Sequence, residues 1–402
     1  MIIIVSPWYG PDTRGGAETQ ARSLAQTLHR QSVPVQVWAS TGRDSFHPGE
    51  DSHYPPGWGE VDGVAVWRFR PTPADTFGVP LFFRQHRHLL PPIEQFSSEE
   101  MNLLNSLLSS DELYAAVWRT RTEHPEARFI FIPYAFPTTF WGALLALDQS
   151  FLLPCLHDEP YARHTTYRYL FSQVRGMLAN SHAEGELAKQ LYTIAPERVH
   201  VPGEGIDLTP RGDGVAFRRQ RGMPADLPLL LYVGRRGDPK NTPLLLAYVR
   251  EYWARRGKPF RLMLAGQGDI PIPAALDATH NHDAPVLDLG FISHQEKHDA
   301  YAAATIFVLP SIYESFSIVL MEAWLQGTPA LVHADCAVTV DHCRRSGGGL
   351  AFRDFGSFAA AVDLLLARPD LNATMGARGR EFVLATCNWE AVARKTAAAV
   401  LG

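Results

Sequence analysis

The stretch VLPSIYESFSIVLMEA (308–323) passes from strand to loop to helix and carries two carboxylates on the way. Ile306, Phe307, Val308 and Leu309 form an apolar run long enough for a buried strand, and Pro310-Ser311 ends it. The spacing after the loop predicts a helix beginning near Ser317. The backbone N–H groups of Phe316, Ser317 and Ile318 are then donors without intrahelical partners, and with the helix dipole they favour an anion in front of them. Glu314 falls in the loop and Glu322 on the next turn of the helix. Two carboxylates beside an anion site make sense when they accept hydrogen bonds from neutral hydroxyls, as from a sugar on one side of a diphosphate and a ribose on the other. The bland reading, in which Glu322 is a surface helix residue, is weakened by Leu320, Met321, Ala323, Trp324 and Leu325, which leave little polar face.

Similar strand-to-helix passages recur along the chain. MIIIVS is followed by Ala17, Ala21, Leu24 and Leu28 at helical spacing and then by the strand VPVQVWAS (33–40). RFIFIP (128–133), FLLPCLH (151–157) and RGMLANS (175–181) read as further strands. The pattern restarts with PLLLYVG (228–234), FRLMLAG (260–266), VLDLGFI (286–292), TIFVLP (305–310) and TPALVH (328–333). This β-α-β order implies parallel sheets. Two doubly wound domains are expected, divided near VHVPGEGIDLTP (199–210). Ligands in such sheets bind beyond the carboxyl ends of the strands.

Three more post-strand segments carry candidate groups. GRRGDPKN follows the strand 228–234; Gly234 lets the backbone turn close to a ligand, and Arg235 and Lys240 are placed to meet one anion. GQGD (266–269) begins with Gly266 and permits close backbone approach, although alone it reads as a plain turn. GPDTRGGAET (10–19) brings Gly15-Gly16 before a helix. There is no GxGxxG, so dinucleotide binding in the Rossmann manner is not supported. His157 stands at the expected end of the strand 151–157, followed by Asp158-Glu159-Pro160.

The chain has 402 residues, enough for two domains. It is 46% hydrophobic and 20% charged with a formal net charge of −5, an ordinary globular balance that makes no electrostatic case for nucleic acid. Met1–Val5 is not preceded by a basic region and soon meets Pro7, so it does not read as a signal peptide. No uninterrupted apolar span is long enough to cross a bilayer. Cys155, Cys336, Cys343 and Cys387 are scattered with no CxxC pair, which argues against a zinc site and for a reducing compartment. A cytoplasmic location is expected. PLFFRQHRHLLPP (80–92) mixes Phe82, Phe83, Leu89 and Leu90 with Arg84 and Arg87. It reads as an irregular lid or core segment in preference to a surface resting on the inner face of an anionic membrane.

Together GGAE (15–18), HD (157–158), ANS (179–181), VHVPGEGID (199–207), VGRRGDPKN (233–241), LAGQGD (264–269), LGFIS (289–293) and the Glu-x7-Glu of VLPSIYESFSIVLMEA resemble the retaining glycosyltransferases of family 4. The succession covers nearly the whole chain. The resemblance implies an α/β GT-B fold of two Rossmann-like domains facing a central cleft. Residues 1–205 would form the acceptor side, 206–385 the nucleotide-sugar donor domain, and 386–402 a helix crossing back to the first domain. It further implies that Arg235 and Lys240 grip the donor diphosphate, that Glu322 bonds the ribose, and that Glu314 contacts hydroxyls of the donor sugar. The Phe316–Ile318 backbone would lie against sugar and phosphate, Gly16 near the phosphates, His157 near the reacting carbon, and the base near Gly290, Phe291 and Ile292. The chain departs from the family at Ser315 and Ser317, where glycine is common, and at PGEG (202–205), where PNG is common.

The activity so implied is transfer of a hexose-type sugar, with retention, from a nucleoside-diphosphate donor to a sugar, lipid-linked or small-molecule acceptor, as in polysaccharide biosynthesis. The sequence holds no Asp-x-Asp stretch to chelate a metal on the donor, so the cations and helix terminus are expected to serve without a metal or other cofactor. A non-hydrolysing sugar-nucleotide epimerase and a non-catalytic nucleotide-sugar-binding protein are the alternative readings.

Overall fold

The computed structural model describes residues 1–45, 47, 52–73, 78–257, 259–278 and 283–402. They form two compact units, Met1–Gly205 with Trp389–Gly402, and Ile206–Asn388.

Unit 1 is built on β1 (Ile2–Val5), β2 (Val35–Ser40), β3 (Gly57–Val61), β4 (Val64–Phe69), β5 (Arg128–Phe131), β6 (Ser150–Leu152), β7 (Gly176–Leu178) and β8 (Val199–His200). Their order in the sheet is β3-β4-β2-β1-β5-β6-β7-β8, parallel throughout except for the antiparallel β3–β4 pair. Strands covered on both faces read as continuous apolar runs because successive side chains enter different cores. Ile2 and Ile4 pack in one cluster with Leu24 and Leu28, while Ile3 and Val5 pack in the other with Phe129 and Trp141. The helix Trp389–Leu401 packs in the first of these clusters through Ala393 and Val400, and Gln31 Nε2 donates to the Glu390 carbonyl at 2.9 Å.

Unit 2 is built on β9 (Leu229–Val233), β10 (Arg261–Ala265), β11 (Val286–Gly290), β12 (Ile306–Leu309), β13 (Ala330–His333) and β14 (Gly349–Phe352). The order is β11-β10-β9-β12-β13-β14, all parallel. Leu229, Leu231 and Val233 enter one core and Leu230 and Tyr232 the other. The doubly wound α/β class expected from the sequence holds for both units.

Some expectations need correction. Ahead of PLFFRQHRHLLPP, where the sequence singles out no strand, lies the β3–β4 hairpin, turned at Asp62 and Gly63, both with positive φ. The strand expected over 151–157 ends at Leu152, because Pro154 lacks an N–H and Cys155 adopts φ 55°. His157 therefore lies in a loop beyond the strand. In PLFFRQHRHLLPP, Phe82 and Phe83 are buried and Leu89 and Leu90 pack against the same core. Those four side chains are engaged in the core, in keeping with a core segment. Among the described residues no helix is long and apolar enough to cross a membrane.

Candidate active site

In unit 2 the strands run outward from β9 in one direction to β11, and from β12 in the other to β14. The direction of winding reverses between β9 and β12, and the carboxyl ends of such a pair open a crevice. The loop after β9 carries GRRGDPKN, and the loop after β12 carries Glu314 and leads into the helix that bears Glu322. The two loops are tied together. Lys240 Nζ donates to Glu314 Oε1 at 2.8 Å, and Asn241 Nδ2 donates to the Pro310 carbonyl at 3.2 Å. The Glu314 side chain is 10% exposed and that of Lys240 37%, so the ammonium keeps an open face while the carboxylate is largely enclosed.

The neighbouring loop after β10 is joined to the same group. Arg236 N–H donates to the Gln267 carbonyl at 2.9 Å. Gly266 has φ 121°, and a Cβ there would collide with the Gly234 carbonyl, so close backbone passage makes glycine necessary. Arg235 is 61% exposed and paired with Asp269 at 2.8 Å, apart from the Lys240–Glu314 pair. The more buried guanidinium is that of Arg236, held by Asp288 at 2.7 Å. Sequence reading missed it because the motif singles out its neighbour.

The helix after the loop is Ile318–Leu325, one residue later than expected. Leu320, Met321, Trp324 and Leu325 are fully buried, and Trp324 Nε1 donates to the Gly348 carbonyl at 2.9 Å, which anchors the end of the helix. Its N-cap, Ser317, has φ 76° and ψ 74° and is only 5% exposed. A left-handed conformation costs a non-glycine residue roughly 1–2 kcal/mol. Phe316 is buried, its ring against His342 at 5.5 Å.

Glu322 is buried and already bonded. Lys297 Nζ donates to Oε1 at 2.6 Å and the Tyr301 hydroxyl to Oε2 at 3.2 Å. Instead of facing open hydroxyl space alone, this carboxylate shares its oxygens with an ammonium and a phenol. Lys297 and Tyr301 were not singled out in the sequence, although their four-residue spacing places both on one face of the helix His294–Ala303. Phe291 follows β11 and is 67% exposed, with Gly290 at φ 60° turning the backbone beside it.

His294, His298 and Glu322 each offer a ligand atom within 4.8 Å of the others, the one cluster of metal-ligating spacing among the described residues. Two of its three members are engaged within the chain. The Gln326 amide is oriented by accepting from Gly212 N–H at 2.9 Å and donating to the Pro210 carbonyl at 3.2 Å. It therefore donates through Nε2 to His298 Nδ1, 3.1 Å away, which leaves the proton of a neutral ring on Nε2. Burial lowers the pKa of His298 and keeps it neutral, and the Lys297 ammonium already occupies Glu322.

In unit 1 the winding reverses between β1 and β5. The loop after β1 leads into the helix Gly16–Arg30. The conformational demand falls on Gly15, with φ 132° and the Glu18 carboxyl where a Cβ would stand, and not on Gly16, beside which space is open. Burial, helped by nearby Asp44, raises the Glu18 pKa to about 7. His157 Nδ1 lies 3.2 Å from Glu159 Oε1, which orients the ring. The loop bearing His157 is anchored from behind by fully buried Glu184. Its Oε1 accepts from Leu156 N–H at 2.5 Å and its Oε2 accepts from Asn180 N–H. Asn180 and Gln20 exchange side-chain amide bonds of 2.5 and 3.3 Å, joining the first helix to the same support. Burial pushes the Glu184 carboxyl up to about 8 against the pull of these amides.

Comparison with known proteins agrees with this architecture. Residues 215–382 match the family described as glycosyl transferases group 1. Over 252 residues, 60% of this chain, the sequence is 32% identical to D-inositol 3-phosphate glycosyltransferase 2 of Catenulispora acidiphila, and the match spans 58% of that relative's length. Sucrose-phosphate synthase from Thermosynechococcus elongatus superimposes with a TM-score of 0.71 at 20% identity, covering 99% of this chain and 97% of the other. HepE of Anabaena, solved with UDP and glucose, gives 0.68 at 15% identity, covering 99% and 98%. At these identities the two structures establish the GT-B fold, and the match to the glycosyl transferases group 1 covers residues 215–382 of the chain.

Proposed function

We propose that the chain is a retaining glycosyltransferase that moves a hexose-type sugar from a nucleoside-diphosphate donor to an acceptor hydroxyl without a divalent ion. The observation that carries this reading is the Lys240–Glu314 pair at the β9/β12 crevice, in front of the helix Ile318–Leu325 and within the group 1 domain. Breaking the anomeric C–O bond leaves negative charge on the β-phosphate. Charges and dipoles fixed beforehand where that charge develops lower the barrier. Lys240, Arg235 and the first amides of the helix are assigned to the diphosphate, with the loop glycines Gly234 and Gly266 letting it approach. Glu314 is assigned to a sugar hydroxyl and Glu322, steadied by Lys297 and Tyr301, to the ribose. Phe291 offers an exposed ring to the base.

The relative named a D-inositol 3-phosphate glycosyltransferase makes D-inositol 3-phosphate the first acceptor to try. The experiment incubates the chain with a panel of nucleotide sugars, with and without acceptor, and follows nucleoside-diphosphate release and the anomer formed. Acceptor-dependent release with retained configuration is expected. Conversion of the donor without acceptor would favour an epimerase, and donor binding without any reaction a non-catalytic protein. Either result overturns the proposal.

A further inference from the structure

Ser317 is disfavoured twice where it stands. Among the described residues five non-glycine residues have positive φ: Ser32, Asp62, Cys155, Asn241 and Ser317. Ser32 and Asp62 are exposed, Asn241 bonds the Pro310 carbonyl, and Cys155 donates to Gln20 Oε1, 3.4 Å away. Ser317 alone of the five is classed as buried, and its Oγ has no hydrogen-bond partner among the described residues. Serine at the N-cap of a helix ordinarily accepts from an amide of the first turn, but in this left-handed conformation the side chain makes no capping bond. Helix capping therefore does not account for the residue, and glycine would satisfy the backbone better.

Elsewhere in the two crevice loops Lys240 is paired with Glu314, Asn241 with the Pro310 carbonyl, and Ser311 Oγ with the Tyr313 carbonyl at 3.2 Å. A buried hydroxyl left over at a strained position, beside the first amides of the helix, points to a group supplied from outside the chain. We infer that the Ser317 hydroxyl hydrogen-bonds an oxygen of the nucleoside-diphosphate sugar and makes donor choice depend on this side chain. A hydroxyl both donates and accepts, so it suits a β-phosphate oxygen or a hydroxyl of the adjoining sugar. The assignment rests on the proposed function and adds a specificity-determining side chain to it.

The test compares Ser317→Gly and Ser317→Ala with wild type by calorimetric titration of nucleoside-diphosphate sugar and of the bare nucleoside diphosphate, with thermal melting alongside. Ser317→Gly is expected to melt no lower than wild type and to bind the donor about tenfold more weakly, about 1.4 kcal/mol. Ser317→Ala should show the same loss without the gain in melting temperature that relief of the left-handed backbone gives Ser317→Gly. Unchanged binding of the bare diphosphate identifies a sugar hydroxyl as the partner, and an equal loss identifies the phosphate. Donor binding by Ser317→Gly equal to wild type overturns the assignment, as does a loss confined to Ser317→Ala, which would trace to the backbone. Wild type that binds no nucleotide sugar overturns the proposed function itself, a different result from normal wild-type binding with an indifferent Ser317→Gly.

Discussion

Replacing Lys240 separates the two uses of its charge. At 2.8 Å from Glu314 the gross attraction is about 6 kcal/mol at an effective dielectric constant near 20. Most of this is offset by desolvation, and because more than a third of the lysine side chain is in water the net contribution falls to about 1 kcal/mol. Lys240→Met leaves the enclosed Glu314 carboxylate without its ammonium, a loss of about 1–3 kcal/mol in the stability of unit 2. The proposed catalytic loss is separate: one fixed charge facing the leaving phosphate is worth about 10²–10³ in rate, or 2.7–4 kcal/mol. Adding Glu314→Gln to Lys240→Met removes the stranded charge and should restore the urea midpoint, while nucleoside-diphosphate release stays at least a hundredfold down. A double variant as stable as wild type and within tenfold of its kcat/KM would refute the assignment of Lys240 to the leaving group. Stability restored without activity is the expected pattern.

Two further outcomes follow from buried groups. Lys297→Met leaves Glu322 with the Tyr301 hydroxyl alone, so donor KM should rise about tenfold with a smaller change in kcat, read from initial rates; an unchanged KM would detach this helix from donor binding. The Glu184 carboxyl, raised by burial from 4.5 to about 8, binds its proton more tightly folded than unfolded. Its contribution to stability is therefore fully present below about pH 4.5 and lost as pH rises through about 8. Urea midpoints of wild type should carry a falling component across that window, and Glu184→Gln should lack it; superimposable profiles would show that Glu184 is ionised throughout.

The sheets were legible because both faces of each are covered, so strands such as Leu229–Val233 appear as unbroken apolar runs. The β3–β4 hairpin was not, since the edge strand GWGEV is largely exposed and carries no such run; its Asp62-Gly63 turn was the available signal. At the site, the sequence placed Glu314 in a loop and Glu322 on the helix after it, as the structure has them, because a loop and the helix after it are local structure. What sequence spacing did not reveal is who holds each carboxylate. Lys240 reaches Glu314 from the end of a neighbouring strand, and Lys297 reaches Glu322 from another helix. Such partners are set by sheet order, which joins β9 to β12 across intervening chain. His157 was placed at a strand end by an apolar run that Pro154 and Cys155 interrupt, and its support by Glu184 depends on a buried contact between separate elements.

The central claim is that a guanidinium, an ammonium and the opening amides of one helix hold a diphosphate unaided. Calorimetric titration of the wild-type chain with nucleoside diphosphate, in chelator and then in manganese, tests it most directly. Equal affinity in both conditions is the predicted result. Binding that disappears in chelator and returns with manganese would contradict it.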